Sequence, residues 1–259
     1  MRKLVTLIFV ASFALVSQTS AQTPAQAPAK PKPVAPAARG AAASYDRTLL
    51  RPGMLKEKAP ETFQVKFETT RGDFTMDVTR AWAPIGVDRF YNLVKHHYYD
   101  NMVVFRAVTG FVVQFGISSY PAVNAAWRDA EIQDDTVTQS NKRGFVTYAK
   151  TSQPNSRSTQ IFISFKDNSF LDSQGFAPFA TVDAAGMKVV EMFYDQYGDQ
   201  PTGEQDQISK LGKAYLDSKY PKLDMIKHAT LVGAAGAAAP AAPKPAAPKA
   251  SAPAAKKPQ

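Results

Sequence analysis

Every aspartate and glutamate of this 259-residue chain lies between residues 44 and 232, and so does nearly every large apolar side chain outside a short N-terminal run. That segregation confines any packed core to residues 44–232, because segments without apolar side chains cannot offset the entropy of ordering. The formal net charge of +9 resides wholly on the flanks, leaving residues 44–232 balanced at 22 acidic residues and as many basic ones. A neutral domain lacks the basic face that phosphate backbones require, so no nucleic-acid partner is expected.

At the N-terminus, Arg2 and Lys3 precede an apolar run from Leu4 to Val16, followed by Thr19-Ser20-Ala21. This is the pattern of a secretory signal peptide over residues 1–21, cleaved after Ala21. The run is shorter than the roughly 20 residues of a spanning helix. Export to the periplasm or the medium is expected, and the absence of cysteine rules out a lipid-attachment thiol and disulfides. Residues 22–43 and 233–259 are rich in Ala, Pro and Lys and read as a disordered linker and tail. Their charge would allow weak contact with an anionic envelope surface, although a solvated spacer is the simpler reading.

Within the domain, short alternating segments dominate. Phe63–Thr70 and Phe74–Thr79 alternate apolar and polar residues around Arg71-Gly72-Asp73, which reads as a β-hairpin turn rather than a cell-adhesion motif. Pro84 opens a helix that runs to about Tyr98. Strand-like runs follow at Met102–Val108 and Phe111–Phe115, then an irregular polar loop over Ser118–Asn141. Further strands are expected at Gly144–Ala149, Gln160–Phe165, Pro178–Val182 and Asp224–Val232, with a second helix over Met187–Tyr197. Many short strands and two helices, without strand-helix repetition, point to a β-barrel. The segment Asp195–Leu223 carries Ile208, Leu211 and Tyr215 at helical spacing, as one short amphipathic helix would. Residues 44–62 are read as an N-terminal extension.

The chemistry is narrowed first by what is missing. There is no cysteine nucleophile, Gly-rich phosphate loop, G-x-S-x-G elbow or spaced metal-ligand set. His96 and His97 are adjacent near a helix end, and His228 stands alone on a strand, positions that suit structural roles. The stretch Phe105-Arg106-Ala107-Val108-Thr109-Gly110-Phe111-Val112-Val113-Gln114-Phe115-Gly116 sets two polar side chains among apolar ones. Period-two alternation places Arg106 with Val108 and Val112 with Gln114, so that a polar pair borders an apolar surface. By pattern alone, a barrel strand with two exposed polar residues is the better reading.

The hairpin FETTRGDFTMDV, the segment FRAVTGFVVQFG, PNSRSTQIFISF at Pro154–Phe165, SFLDSQGFAPFATV at Ser169–Val182 and GMKVVEMF at Gly186–Phe193 occur in an order and spacing that resemble the cyclophilin family. The tract from Ala126 to Gly144 is similar to a bacterial subgroup. The resemblance covers roughly Phe63–Val232 and implies an isomerase domain at residues 63–232. It implies a mainly β fold, a closed eight-stranded antiparallel barrel capped by two α-helices, with a proline groove outside. It further implies a peptidyl-prolyl cis-trans isomerase acting on proline-containing polypeptides, here a monomer assisting exported proteins, with no cofactor and no metal. The alternative is a non-catalytic proline-peptide module or holdase. Matched position by position, Arg106 and Gln114 fall on the catalytic arginine and its glutamine, and Phe111 and Val112 on groove residues. Phe162 and Leu171 fall on the pocket floor and Ala149 and Lys150 on its rim. Phe105, Lys150, Phe170 and Phe176 depart from the common pattern, standing where His, Asn, Trp and His are frequent.

Overall fold

The computed structural model describes residues 45–233. The expected signal peptide, the 22–43 linker and, apart from Gly233, the 233–259 tail lie outside the described residues.

The hairpin forms as expected, with strand β1 (Thr62–Thr69) against β2 (Asp73–Thr79) in the register Phe63↔Val78 and Phe67↔Phe74. Their alternate apolar residues are buried, and the Phe67 and Phe74 rings stack at 5.0 Å. The turn is anchored structurally: Arg71 Nε and Thr70 Oγ1 both donate to the buried Asp224 carboxylate, at 2.9 and 2.7 Å. Helix α1 (Pro84–Lys95) lays Val87, Phe90, Leu93 and Val94 into the core. Its first turn gives the Ile85 and Gly86 N–H groups to Asp135, at 2.9 and 2.8 Å, which completes donors that a helix start leaves unpaired. Asp135 also accepts from buried Arg157, so the loop preceding residue 143 is pinned to the helix.

The other strands are β3 (Met102–Val103), β4 (Arg106–Val108), β5 (Val112–Phe115), β6 (Phe145–Tyr148), β7 (Ile161–Ser164), β8 (Pro178–Val182) and β9 (Met225–Val232). They form one antiparallel sheet in the order β3-β9-β1-β2-β8-β6-β7-β5-β4. The fold is mainly β, but the expected closed eight-stranded barrel is corrected to a nine-stranded open sheet. The reason lies in the run Met102–Val108, which does not continue as one strand. Its first part pairs with β9 and its last part with β5, so the two edges of the sheet are consecutive pieces of chain joined through Val104 and Phe105. A curled sheet therefore encloses the core of Phe67, Phe90, Tyr99, Phe115 and Phe179.

Among the described residues there are five α-helices, where two capping helices and one short amphipathic helix were expected. Within the stretch read as an irregular loop, α2 (Pro121–Trp127) buries Val123 and Trp127. The second expected helix is shorter and earlier: α3 (Ala184–Val190) starts at Asp183, whose carboxylate accepts from Gly186 N at 2.7 Å, and ends before Phe193. The 195–223 segment holds two helices, α4 (Gln205–Leu211) and α5 (Lys213–Lys219), separated by Gly212 at φ 66°. Ile208 is buried, but Leu211 is exposed and Leu216 is buried in its stead.

Candidate active site

The site grows from the pairing of β4 with β5, in which Arg106 lies opposite Gln114 and Val108 opposite Val112. Alternation sends Val113 and Phe115 into the core and turns Val112 and Gln114 outward. Strand β7 continues that outer face by placing Phe162 beside Gln114. At the end of β5, Gly116 has φ 124°, and a Cβ there would stand 2.4 Å from the Gln160 Cα. Only glycine permits that approach, which brings Gln160 to the same face.

Val112, Phe162 and Leu171 form a small apolar cluster with Phe111, Ala149 and Phe176, separate from the main core. These residues, with Arg106, Gln114, Lys150, Thr202 and Gln205, line a pocket of about 220 Å³. The floor is apolar and recessed, Phe162 being 5% and Leu171 7% exposed. The loop carrying Leu171 and Phe176 is braced from below. Asn141 Nδ2 donates to the Phe176 carbonyl at 2.8 Å and to Asp172 at 2.7 Å, while Thr147 Oγ1 donates to Asn141 Oδ1 at 2.7 Å.

On the polar side, Arg106 Nη1 donates to Gln114 Oε1 at 2.9 Å, and the guanidinium carbon lies 5.5 Å from the centre of the Phe111 ring. Arg106 Nε donates to Asp199 at 2.5 Å. Gln114 Nε2 donates to Gln160 Oε1 at 2.8 Å, and Gln160 Nε2 to Gln205 Oε1 at 2.9 Å. The Thr202 hydroxyl has no hydrogen-bond partner among the described residues. Lys150 has its ammonium 3.2 Å from Asp134 and 5.9 Å from the centre of the Phe176 ring. Burial pushes the Asp134 carboxyl up, but the Asn155 N–H and Lys150 outweigh it and hold it below the usual range. Among the described residues, no group of three or more His, Asp or Glu side chains is placed to hold a metal ion.

Nine of the ten residues picked out in the sequence thus meet around one pocket. The tenth, Phe170, does not line it. The 3-10 turn Ser169–Gln174 directs Leu171 inward and leaves Phe170 54% exposed, where its ring stacks on the outside of Phe111 at 6.2 Å. Sequence reasoning passed over Gln160, although period-two alternation from Phe162 was available to find it. It also missed Asp199, Thr202 and Gln205, and no signal in the chain ties them to residues some ninety positions earlier.

Residues 64–213 match the model of the family described as cyclophilin type peptidyl-prolyl cis-trans isomerase/CLD, which is more than half of the chain. The chain belongs to the cyclophilin family. By that membership it is an enzyme, a peptidyl-prolyl cis-trans isomerase. It is similar to peptidyl-prolyl cis-trans isomerase B of Escherichia coli (strain K12), 29% identical over 134 residues, 49% of this chain and 81% of that one. It is also similar to the isomerase cypE of Dictyostelium discoideum, 32% identical over 133 residues, 49% of this chain and 81% of that one. A cyclophilin-type isomerase of Cryptosporidium parvum is similar in structure, with a TM-score of 0.48 and 17% identity, covering 66% of this cyclophilin and 98% of that chain.

Proposed function

We propose that this cyclophilin rotates Xaa-Pro bonds at the Arg106 pocket, with Arg106 as the catalytic residue and Gln114 holding its guanidinium. Phe162, Leu171 and Phe176 receive the prolyl ring, while Phe111, Val112, Ala149 and Lys150 border the adjoining backbone, with Phe170 backing Phe111 from outside. One observation supports this reading most: Arg106 and Gln114, paired across two strands and hydrogen-bonded at 2.9 Å, border the apolar group of Val112, Phe162 and Leu171 in one pocket.

The chemistry needed is modest in kind. Amide resonance opposes rotation with a barrier of about 18–20 kcal/mol, and uncatalysed X-Pro isomerisation takes tens to hundreds of seconds. No bond breaks, so no nucleophile is required. Twisting the amide returns the lone pair to the prolyl nitrogen, and a guanidinium that donates toward that nitrogen or the neighbouring carbonyl stabilises the twisted form over the planar one. An apolar floor grips the ring and excludes water, which strengthens the donated hydrogen bond.

The setting proposed is outside the cytoplasm, with the enzyme acting as a monomer on exported proteins and its Ala/Pro/Lys flanks serving as spacers with weak contact to anionic surfaces at most. The Arg2-Lys3 start, the Leu4–Val16 run and Thr19-Ser20-Ala21 support it. Terminal sequencing of the protein recovered from a bacterial envelope fraction is expected to begin at Gln22; an intact Met1 in the cytosolic fraction counts against export.

Proline-limited refolding of a substrate protein tests the catalytic reading. The exported chain is expected to accelerate the slow phase, and Arg106→Ala to lose at least tenfold of that acceleration, about 1.4 kcal/mol of transition-state stabilisation. A folded wild type that binds proline peptides without accelerating refolding would point instead to a binding module.

A further inference from the structure

The segment from Asp195 to Leu223 meets the Arg106 side of the pocket at both ends of one polar line. Asp199 accepts from Arg106, Arg106 donates to Gln114, Gln114 to Gln160, and Gln160 to Gln205. Asp199 and Gln205 both belong to this segment, so it grips the pair Arg106–Gln114 from either side.

The segment is firmly fixed to the sheet. Ile208, Leu216 and Tyr220 bury against Val103, Phe105 and Ile117, a second core directly under the Arg106 strand. Glu204 accepts from the Tyr215 hydroxyl at 2.7 Å and the Tyr220 hydroxyl at 3.0 Å, and also pairs with Lys219. At Gly212 the backbone passes so close to Ser119 that a Cβ would stand 2.3 Å from its carbonyl oxygen, and Lys213 N donates to that same oxygen at 3.1 Å. Thr109, one turn residue beyond β4, donates to Asp195 at the segment's start.

A donor aimed at a twisting amide contributes most when its orientation is settled before the reaction. Arginine carries much rotamer entropy, and a single partner on Nη1 leaves it free to swing about that contact. Gln114 takes Nη1, the Phe111 ring covers one face, and Asp199 takes Nε near the stem. Among the described residues, Nη2 has no partner. We propose that Asp199 is a positioning residue for Arg106, contributed by the 195–223 segment and leaving Nη2 directed to substrate. This rests on the reading of Arg106 as the catalytic residue. Asp199 is itself well exposed, so its replacement leaves the packed core intact.

The test compares Asp199→Ala, Asp199→Asn and Arg106→Ala in the full exported chain, with kcat and KM measured separately on an Ala-Pro peptide. Asp199→Ala is expected to lower kcat roughly two- to fivefold, the range of an exposed ion pair, with KM little changed. Asp199→Asn, whose Oδ1 still accepts from Nε, is expected to recover most of that loss. Full or raised kcat in Asp199→Ala, beside an inactive Arg106→Ala, overturns the positioning role. Equal losses in Asp199→Ala and Asp199→Asn overturn it as well. An active Arg106→Ala removes the catalytic reading and this proposal together.

Discussion

Phe105 stands where the resemblance to cyclophilins leads one to expect a histidine, and its surroundings suit an apolar ring. It is fully buried between the sheet and the 195–223 segment, in contact with the apolar group that includes Ile208, Leu216 and Tyr220. A histidine there would set its ring nitrogens among mainly apolar side chains, and a buried nitrogen left unpaired costs about 1–3 kcal/mol. Phe105→Ala is expected to destabilise the protein by about 3–5 kcal/mol, as buried aromatic truncations do, and urea unfolding will read it as a lower midpoint. Phe105→Leu should cost clearly less. A shift within a few tenths of a kcal/mol for Phe105→Ala would mean that the segment does not pack on the sheet as described. Lys150 illustrates a different residue-level outcome: its ammonium pairs with Asp134 at 3.2 Å while lying over the Phe176 ring at 5.9 Å, so the charge is held at the pocket rim by a carboxylate and an aromatic face together.

At the level of elements, legibility followed the source of each signal. The β1-β2 hairpin was readable because period-two burial and turn residues act within a few positions, and β8 because it is a short, almost wholly buried apolar run. Helix α2 was not, since its only buried contacts are Val123 and Trp127, and the rest of its seven residues are small or polar. The break between β3 and β4 was hidden for the opposite reason. Val104 and Phe105 are both buried, so an uninterrupted apolar run conceals the point where one side chain turns to the main core and the next to a second one. In the 195–223 segment, Ile208 was correctly read as core, whereas Leu211 was not. Gly212 stops the helix directly after it, and the docking of Gly212 on Ser119 then redirects the chain. The strand-borne part of the site was visible as a motif, and the part brought by this segment was fixed only by tertiary packing.

For the whole molecule, the position of β9 matters most. It is the last strand among the described residues but lies inside the sheet, paired with β1 from Gln64↔Val232 to Thr69↔Ile226 and with β3 on its other side. A chain truncated before Met225 is expected to lose the cooperative unfolding transition, since β1 and β3 would both lack their partner. A chain ending at Gly233 should unfold at the same urea concentration as the full protein, as monitored by circular dichroism. Similar midpoints for the two truncations would contradict the sheet order.

That placement of β9 also sets a timetable. A polypeptide delivered N-terminus first, from a ribosome or through a membrane pore, has a vacant slot between its first and third strands until residues 225–232 arrive. Until then the flanking strands offer open edges on which another chain can template. Because β3 leads directly into the strand that bears Arg106, the strand that carries the pocket's arginine gains its anchorage only once β9 has emerged and filled that slot.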